Sequence, residues 1–146
     1  MKYSLQIDIE LPRDRVIELF DDPDNLKKWQ PQLVSFEHLD GEPGQPGARS
    51  RMVYNMGNKE VEMIETVLER NFPEAFSCSY EAKGVFNRID NQFVEVGGTR
   101  TRWFFQCEFQ CRGFMWLMST LMPGLFRKES MKFMQQFKAF AEGTQS

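Results

Sequence analysis

The stretch TRWFFQCEFQ, residues 101–110, decides the fold because its side chains alternate in character. One face of this stretch is polar apart from Phe104. The other face carries Trp103, Phe105, Cys107 and Phe109. Successive side chains of a β-strand point to opposite sides of a sheet, so the pattern predicts a strand whose apolar face is turned to the interior.

Other stretches of the chain carry the same kind of signal, and turn sequences separate them. The full set of predicted strands spans residues 2–10, 32–39, 48–56, 59–70, 74–82, 85–96 and 99–111. Residues 40–47, DGEPGQPG, form a Gly/Pro loop, and Gly57-Asn58 forms a tight hairpin. Because the links after the second strand are of the hairpin type, we predict an antiparallel meander.

Helical signals lie on both sides of the meander. Residues 12–21 and 22–30 are predicted as two short helices, each with a proline in its first turn. Residues 112–142 are predicted as a third helix, and Pro123 is expected to kink it or to start a new one. The residues that recur there at spacings of three and four are Phe126, Ser130, Phe133, Phe137 and Phe140.

Length and composition fit one compact domain. The chain has 146 residues, of which 41% are hydrophobic and 27% charged, so we expect a single domain over residues 1–146. The net charge of -3 argues against nucleic acid as a partner. The N-terminal stretch lacks the apolar core of a signal peptide, and we expect a cytoplasmic location. There the thiols of Cys78, Cys107 and Cys111 stay reduced, and we interpret them as small buried hydrophobes.

Residues 113–126, GFMWLMSTLMPGLF, are apolar nearly all round a helix but too few to span a bilayer. An ordinary helix covered on both sides is one interpretation. A lid, an oligomer contact such as a homodimer, and a surface that touches a membrane transiently are the others. The stripe that would make such a contact is Phe114, Leu117, Leu121 and Leu125.

The order of one strand, two short helices, six antiparallel strands and a long closing helix resembles the START-like, or SRPBCC, superfamily. The resemblance covers essentially the whole chain. It is carried by residues 11–29, LPRDRVIELFDDPDNLKKW, by the Gly-rich loop before a hairpin, and by TRWFFQCEFQ followed by a helix ending FMQQFKAFAE. It implies an α+β helix-grip fold, in which a curved antiparallel sheet of about seven strands wraps around the C-terminal helix and leaves a cavity.

The superfamily includes polyketide cyclases, lipid carriers and co-chaperone-like members that bind another protein, so the resemblance implies fold more than chemistry. Inward-facing aromatic and Met side chains would line the implied cavity. The candidate ligand-binding residues are Met52, Tyr54, Met56, Phe76, Tyr80, Asn87, Asn91, Phe93, Trp103, Phe105, Met122 and Phe126. Tyr54, Tyr80, Asn87 and Asn91 are candidate polar anchors, although structural hydrogen bonds to backbone explain them about as well.

Signals for catalysis or metal binding are few. His38 is the single histidine, and we interpret it as a surface residue rather than a base. No nucleotide-binding or zinc motif is present, so no cofactor and no metal are expected. Glu65 and Glu95 have inward strand parity and would act as acids if buried. A bulge or strand end that returns each carboxylate to water is the favoured interpretation.

These observations predict non-catalytic binding or transport of a hydrophobic small molecule, lipid-, isoprenoid- or polyketide-like, between the sheet and the C-terminal helix. Two alternatives stay open. One is a protein-interaction module that uses the apolar face of residues 113–126. The other is a polyketide cyclase/dehydratase-like enzyme.

Overall fold

A computed structural model describes residues 1–113 and 121–143, and over these residues seven antiparallel strands form one open sheet. The strands are β1 (Lys2–Ile9), β2 (Leu33–Asp40), β3 (Arg49–Met56), β4 (Lys59–Asn71), β5 (Ala75–Ala82), β6 (Val85–Val96) and β7 (Arg100–Cys111). Their order across the sheet is β1-β7-β6-β5-β4-β3-β2. The predicted meander is therefore confirmed, and β1 pairs with β7 to complete it.

Three helices flank the sheet in the described part of the chain. They are α1 (Arg13–Asp21), α2 (Leu26–Trp29) and α3 (Pro123–Gly143), and a 3-10 turn (Pro23–Asn25) joins the first two. The Asp22 side chain accepts a hydrogen bond from the Asp24 backbone N–H at 2.9 Å and so caps this turn. The expected change at Pro123 is confirmed, because α3 begins at that residue.

The loop between β2 and β3 closes tightly because of a glycine. Gly41 has a φ of +79°, and a Cβ added to it would lie 2.7 Å from the Ala48 Cα. Only glycine fits that backbone conformation and that approach. The end of the loop is then fixed to β4, where the Gly47 N–H donates to the Val67 carbonyl at 2.8 Å.

The helix α3 packs across β1 and is hydrogen-bonded to it near both ends of that strand. The Tyr3 hydroxyl and the Ser130 hydroxyl are 2.6 Å apart and share a hydrogen bond. The Lys138 ammonium donates to the Asp8 carbonyl, also at 2.6 Å. These contacts hold the apolar face of α3 over the sheet.

The packed core lies under α1 and α3, against the side of the sheet formed by β1, β6 and β7. Phe137 is fully buried at its centre. Its ring centroid lies 5.1 Å from that of Trp29, 5.5 Å from that of Trp103 and 5.6 Å from that of Phe20, all with steep interplanar angles. Edge-to-face contacts let these rings pack closely over this side of the sheet. The four rings do not extend over the rest of the sheet.

Candidate functional site

A cavity of about 700 Å³ lies over the part of the sheet that the packed core leaves free. The inward faces of β2 to β7 form its floor, and its walls come from the end of α1, from α2 and from Phe133 of α3. Pro43, Gly44 and Gln45 of the β2–β3 loop border it at one end. Most of the lining side chains are apolar, which is typical of a site for a small hydrophobic ligand.

Eight of the twelve candidate ligand-binding residues line this cavity. They are Met52, Tyr54, Met56, Phe76, Tyr80, Asn87, Asn91 and Phe105. The strand alternation brings them together, since each lies on the inward face of its strand. Their contact with a ligand stays a prediction.

The other four candidates lie elsewhere. Phe93 and Trp103 have inward parity as predicted, but Phe20 of α1 packs on both rings and they belong to the core. Phe126 packs against Phe109 with ring centroids 4.9 Å apart and ring planes inclined at 60°. Met122 is 49% exposed just before α3. None of these four residues is in the described lining of the cavity, and their contact with a ligand stays a prediction. For Phe93 and Trp103 the reason is that strand parity gives the side of the sheet and not what lies above it.

Across the floor of the cavity runs one row of mostly polar residues, which we call the transverse row. Its members face each other on adjacent strands from β2 to β7: His38, Ser50, Glu65, Tyr80, Asn87 and Phe109. All six line the cavity. The antiparallel register therefore places five polar side chains of the floor in one band.

Glu65 is the charged centre of the transverse row. Its carboxylate oxygen Oε2 accepts a hydrogen bond of 2.8 Å from the Tyr80 hydroxyl. Burial raises the pKa of Glu65, and the hydrogen bond from Tyr80 offsets part of that rise. The bulge in β4 falls later than expected, between Val67 and Glu69, so it does not turn Glu65 outward, and Glu65 lies half-buried on the cavity floor. Glu95 is exposed, as expected.

Tyr54 stands beside this row on β3. Its hydroxyl donates to Gln30 Oε1 at 2.5 Å, which ties β3 to the end of α2 above the cavity. Burial, and then the negative charge of Glu65, raise the pKa of Tyr54. Burial likewise raises the pKa of Tyr80. Both phenols therefore stay protonated at neutral pH and act as hydrogen-bond donors.

The two asparagines differ in how they are used. The Asn91 amide donates to the Phe76 carbonyl at 3.1 Å, and its oxygen accepts from the Trp103 indole N–H at 2.9 Å. Asn91 is thus engaged in holding the core. Asn87 Oδ1 accepts from the Cys107 thiol at 3.1 Å, and burial raises the pKa of that thiol to about 11. Cys78 and Cys107 are buried as expected, whereas Cys111 is only half-buried.

An ion pair that the sequence did not reveal borders the cavity near the β2–β3 loop. The Arg70 guanidinium donates to both carboxylate oxygens of Asp21, at 2.8 and 2.5 Å. It also donates to the Gly44 carbonyl at 3.2 Å and lies over the Phe72 ring. This arrangement, the Arg70 bridge, joins β4, the end of α1 and the loop. Each partner is a common surface residue type, so no sequence signal marks the pair.

His38 is exposed, and its ring nitrogen Nε2 lies 2.7 Å from the Gly41 carbonyl, as expected for a surface histidine.

Within residues 1–113 and 121–143, no group of His, Cys, Asp and Glu side chains is arranged to hold a metal ion. None of the described helices is long and apolar enough to cross a bilayer. Of the predicted contact stripe, Leu121 and Leu125 are exposed, and its other two residues, 114 and 117, lie outside the described residues.

An open antiparallel sheet with a long C-terminal helix and a cavity under it defines a helix-grip domain of the START-like, SRPBCC type, which confirms the resemblance. The chain belongs to the family described as polyketide cyclase / dehydrase and lipid transport, which matches residues 1–142. That family relationship covers both the sheet and α3.

Solved structures share the fold at low sequence identity. A protein from Thermus thermophilus is 19% identical with a TM-score of 0.81, and the match covers 100% of both chains. The Zhui aromatase/cyclase from a Streptomyces species is 12% identical with a TM-score of 0.80, over 97% of this chain and 93% of that one. Norcoclaurine synthase from Thalictrum flavum, in complex with dopamine and hydroxybenzaldehyde, is 13% identical with a TM-score of 0.75, over 100% and 88%. No curated protein matches the sequence.

Proposed function

We propose that this protein, acting as one domain, binds a hydrophobic small molecule non-covalently in the cavity. The observation that carries the proposal is the cavity itself, about 700 Å³ that the described side chains leave unfilled. A chain with 14 Phe and 9 Met has ample bulk to fill its interior. Its rings are instead concentrated in the core under α1 and α3, beside the cavity.

Transfer of the ligand from water supplies most of the expected affinity. Burial of about 300 Å² of apolar ligand surface, at roughly 25 cal/mol per Å², contributes about 7 kcal/mol before the costs of association. A Kd of 1 μM requires about 8 kcal/mol and a Kd of 1 mM about 4 kcal/mol, so after the costs of association this burial alone supports binding weaker than micromolar. The apolar floor beside the transverse row, including Met52, Val67 and Ile89, provides the matching surface.

The test is a fluorescence titration with Nile red, a neutral apolar dye, followed by displacement with unlabelled hydrophobic compounds. Met63 lines the cavity, so Met63→Trp should occupy part of it and weaken dye binding about tenfold or more. Glu60 is exposed on the same strand, so Glu60→Trp is the matched control and should bind the dye like the unmodified protein. A chain that gives no saturable signal, and no change in melting temperature with any neutral apolar compound, would overturn the proposal.

A second candidate function is a cyclase/dehydratase-like activity, and one observation favours it. Glu65 and Tyr80 form a hydrogen-bonded pair inside the cavity, and burial raises the pKa of the carboxyl. A carboxyl group with a raised pKa can exchange a proton with a bound substrate near neutral pH. The measurement is turnover of a polyketide-like substrate by Glu65→Gln. Turnover equal to that of the unmodified chain would remove Glu65 as the acid–base group.

A further inference from the structure

The ionic groups that line the cavity are unevenly compensated. Asp21, Glu65 and Arg70 are the Asp, Glu, Lys and Arg residues in the described lining. Asp21 and Arg70 neutralise each other in the Arg70 bridge. In the described part of the chain no cation lies within ion-pair distance of Glu65. The interior of the cavity therefore carries one uncompensated acidic group.

The hydrogen-bonding capacity of Glu65 is also only partly used. A carboxylate can accept about four hydrogen bonds. Among the described side chains, the Tyr80 hydroxyl is the donor to it. The nearby Tyr54 hydroxyl is directed to Gln30 instead. Unused acceptor capacity of Glu65 thus lies in the middle of the transverse row, on the cavity floor.

Glu65 is half-buried on the cavity floor, and a ligand that fills the cavity would cover it further. A covered acceptor without enough donors is costly, and a ligand that supplies a donor removes that cost. A ligand carboxylate has the opposite effect, because it brings a second negative charge into a water-poor space and offers no donor. We infer that the cavity selects hydrophobic molecules that carry a hydroxyl or amine hydrogen-bond donor directed at Glu65, and rejects hydrophobic carboxylates. The inference rests on the proposed function, since it requires that the cavity binds a ligand.

The experiment compares four probes that share one apolar body: 4-methylbiphenyl, 4-hydroxybiphenyl, 4-(aminomethyl)biphenyl and biphenyl-4-carboxylate. Their affinities are measured at pH 8 by displacement of Nile red. We expect at least one of the hydroxyl and amine probes to bind about tenfold more tightly than the methyl probe, and the carboxylate to bind about tenfold more weakly. The hydroxyl and amine arms show which donor the site takes, and preference for either one supports the inference.

The variant Glu65→Gln should reduce the preference for the donor probes about tenfold and leave the affinity of the methyl probe within about twofold. Glu60→Gln, on the exposed side of the same strand, is the matched control and should retain the full preference. The order of the four probes on the unmodified chain tests the inference even if Glu65→Gln does not fold. Equal binding of all four, or a preference that survives in folded Glu65→Gln, would overturn the inference and leave the proposed function standing. If none of the four displaces bound Nile red, the inference is overturned; the proposed function falls only if Nile red and the other neutral apolar compounds also give no saturable signal.

Discussion

Asn91 can serve as a ligand anchor or as a structural residue, and the variant Asn91→Leu decides between the two. The side chain is 7% exposed and lines the cavity, but its amide already bonds to the Phe76 carbonyl and the Trp103 indole. Leucine has the same branched shape and number of side-chain heavy atoms and is somewhat larger, so it leaves no new void. The substitution therefore removes the two hydrogen bonds and little else. We expect it to destabilise the fold and to leave ligand affinity nearly unchanged.

The size of the effect follows from these contacts. Loss of the two hydrogen bonds costs about 1 kcal/mol each. The Trp103 side chain is fully buried, so its unpaired N–H adds a cost of about 1–3 kcal/mol. Additional burial of apolar surface by leucine offsets about 1 kcal/mol. The free energy of unfolding should fall by about 2–4 kcal/mol, and the melting temperature should fall by about 10 °C.

The assay is urea denaturation of the single variants and of Asn91→Leu combined with Trp103→Phe. Phenylalanine has no N–H, so neither the lost hydrogen bond to residue 103 nor its unpaired donor counts in that background, and Asn91→Leu should cost about 2–4 kcal/mol less there. Nile red affinity is measured on the same proteins. If Asn91→Leu kept the full melting temperature and lost dye affinity tenfold, Asn91 would be a ligand anchor and the reasoning would be refuted.

Three other predictions concern Glu65, Arg70 and Phe137. Burial raises the pKa of the Glu65 carboxyl in the folded state above its ordinary value of 4.5. The folded state therefore binds this proton more tightly than the unfolded chain does. The stabilisation that results is complete below pH 4.5 and is lost as the pH rises through the folded-state pKa. Glu65→Gln should therefore melt at a higher temperature than the unmodified chain at pH 8 and not at pH 4; the reverse order would contradict this sign. Arg70→Met breaks the half-buried Arg70 bridge and should cost about 1 kcal/mol and speed amide exchange in residues 40–47, whereas Arg49→Met, at an exposed ion pair, should not. Phe137→Ala should lower the free energy of unfolding by about 3–5 kcal/mol in urea, and a loss below 1 kcal/mol would show that the core is not centred there.

The strands could be predicted closely from the sequence. The predicted bounds of β6 are the observed ones, and those of β4 differ by one residue. Both strands combine alternating side chains with turn residues at their ends, so local pattern and local geometry agree. The start of α3 at Pro123 was predictable for the same reason, since proline restricts the backbone at that point whatever surrounds it.

The site could be predicted only in part, because its properties depend on distant elements. Parity placed Phe93 and Phe105 on the inward side, and both belong to the core, but α1 covers Phe93 while Phe105 also borders the cavity. Glu65 was given the correct face, but its half-buried place on the cavity floor was not predictable because it depends on where a bulge falls in β4. The Arg70 bridge joins residues 49 positions apart and needs the whole fold to exist.

The pairing of β1 with β7 has a consequence for how the chain is made. Lys2 lies opposite Glu108, so β1, which is synthesised before the other six strands, has no partner until nearly all of the meander has left the ribosome. Until then the rings that will face inward are open to water and to other nascent chains, and contacts between such remote segments form slowly. We therefore expect the floor of the cavity to be closed on the β1 side only after β7 has left the ribosome.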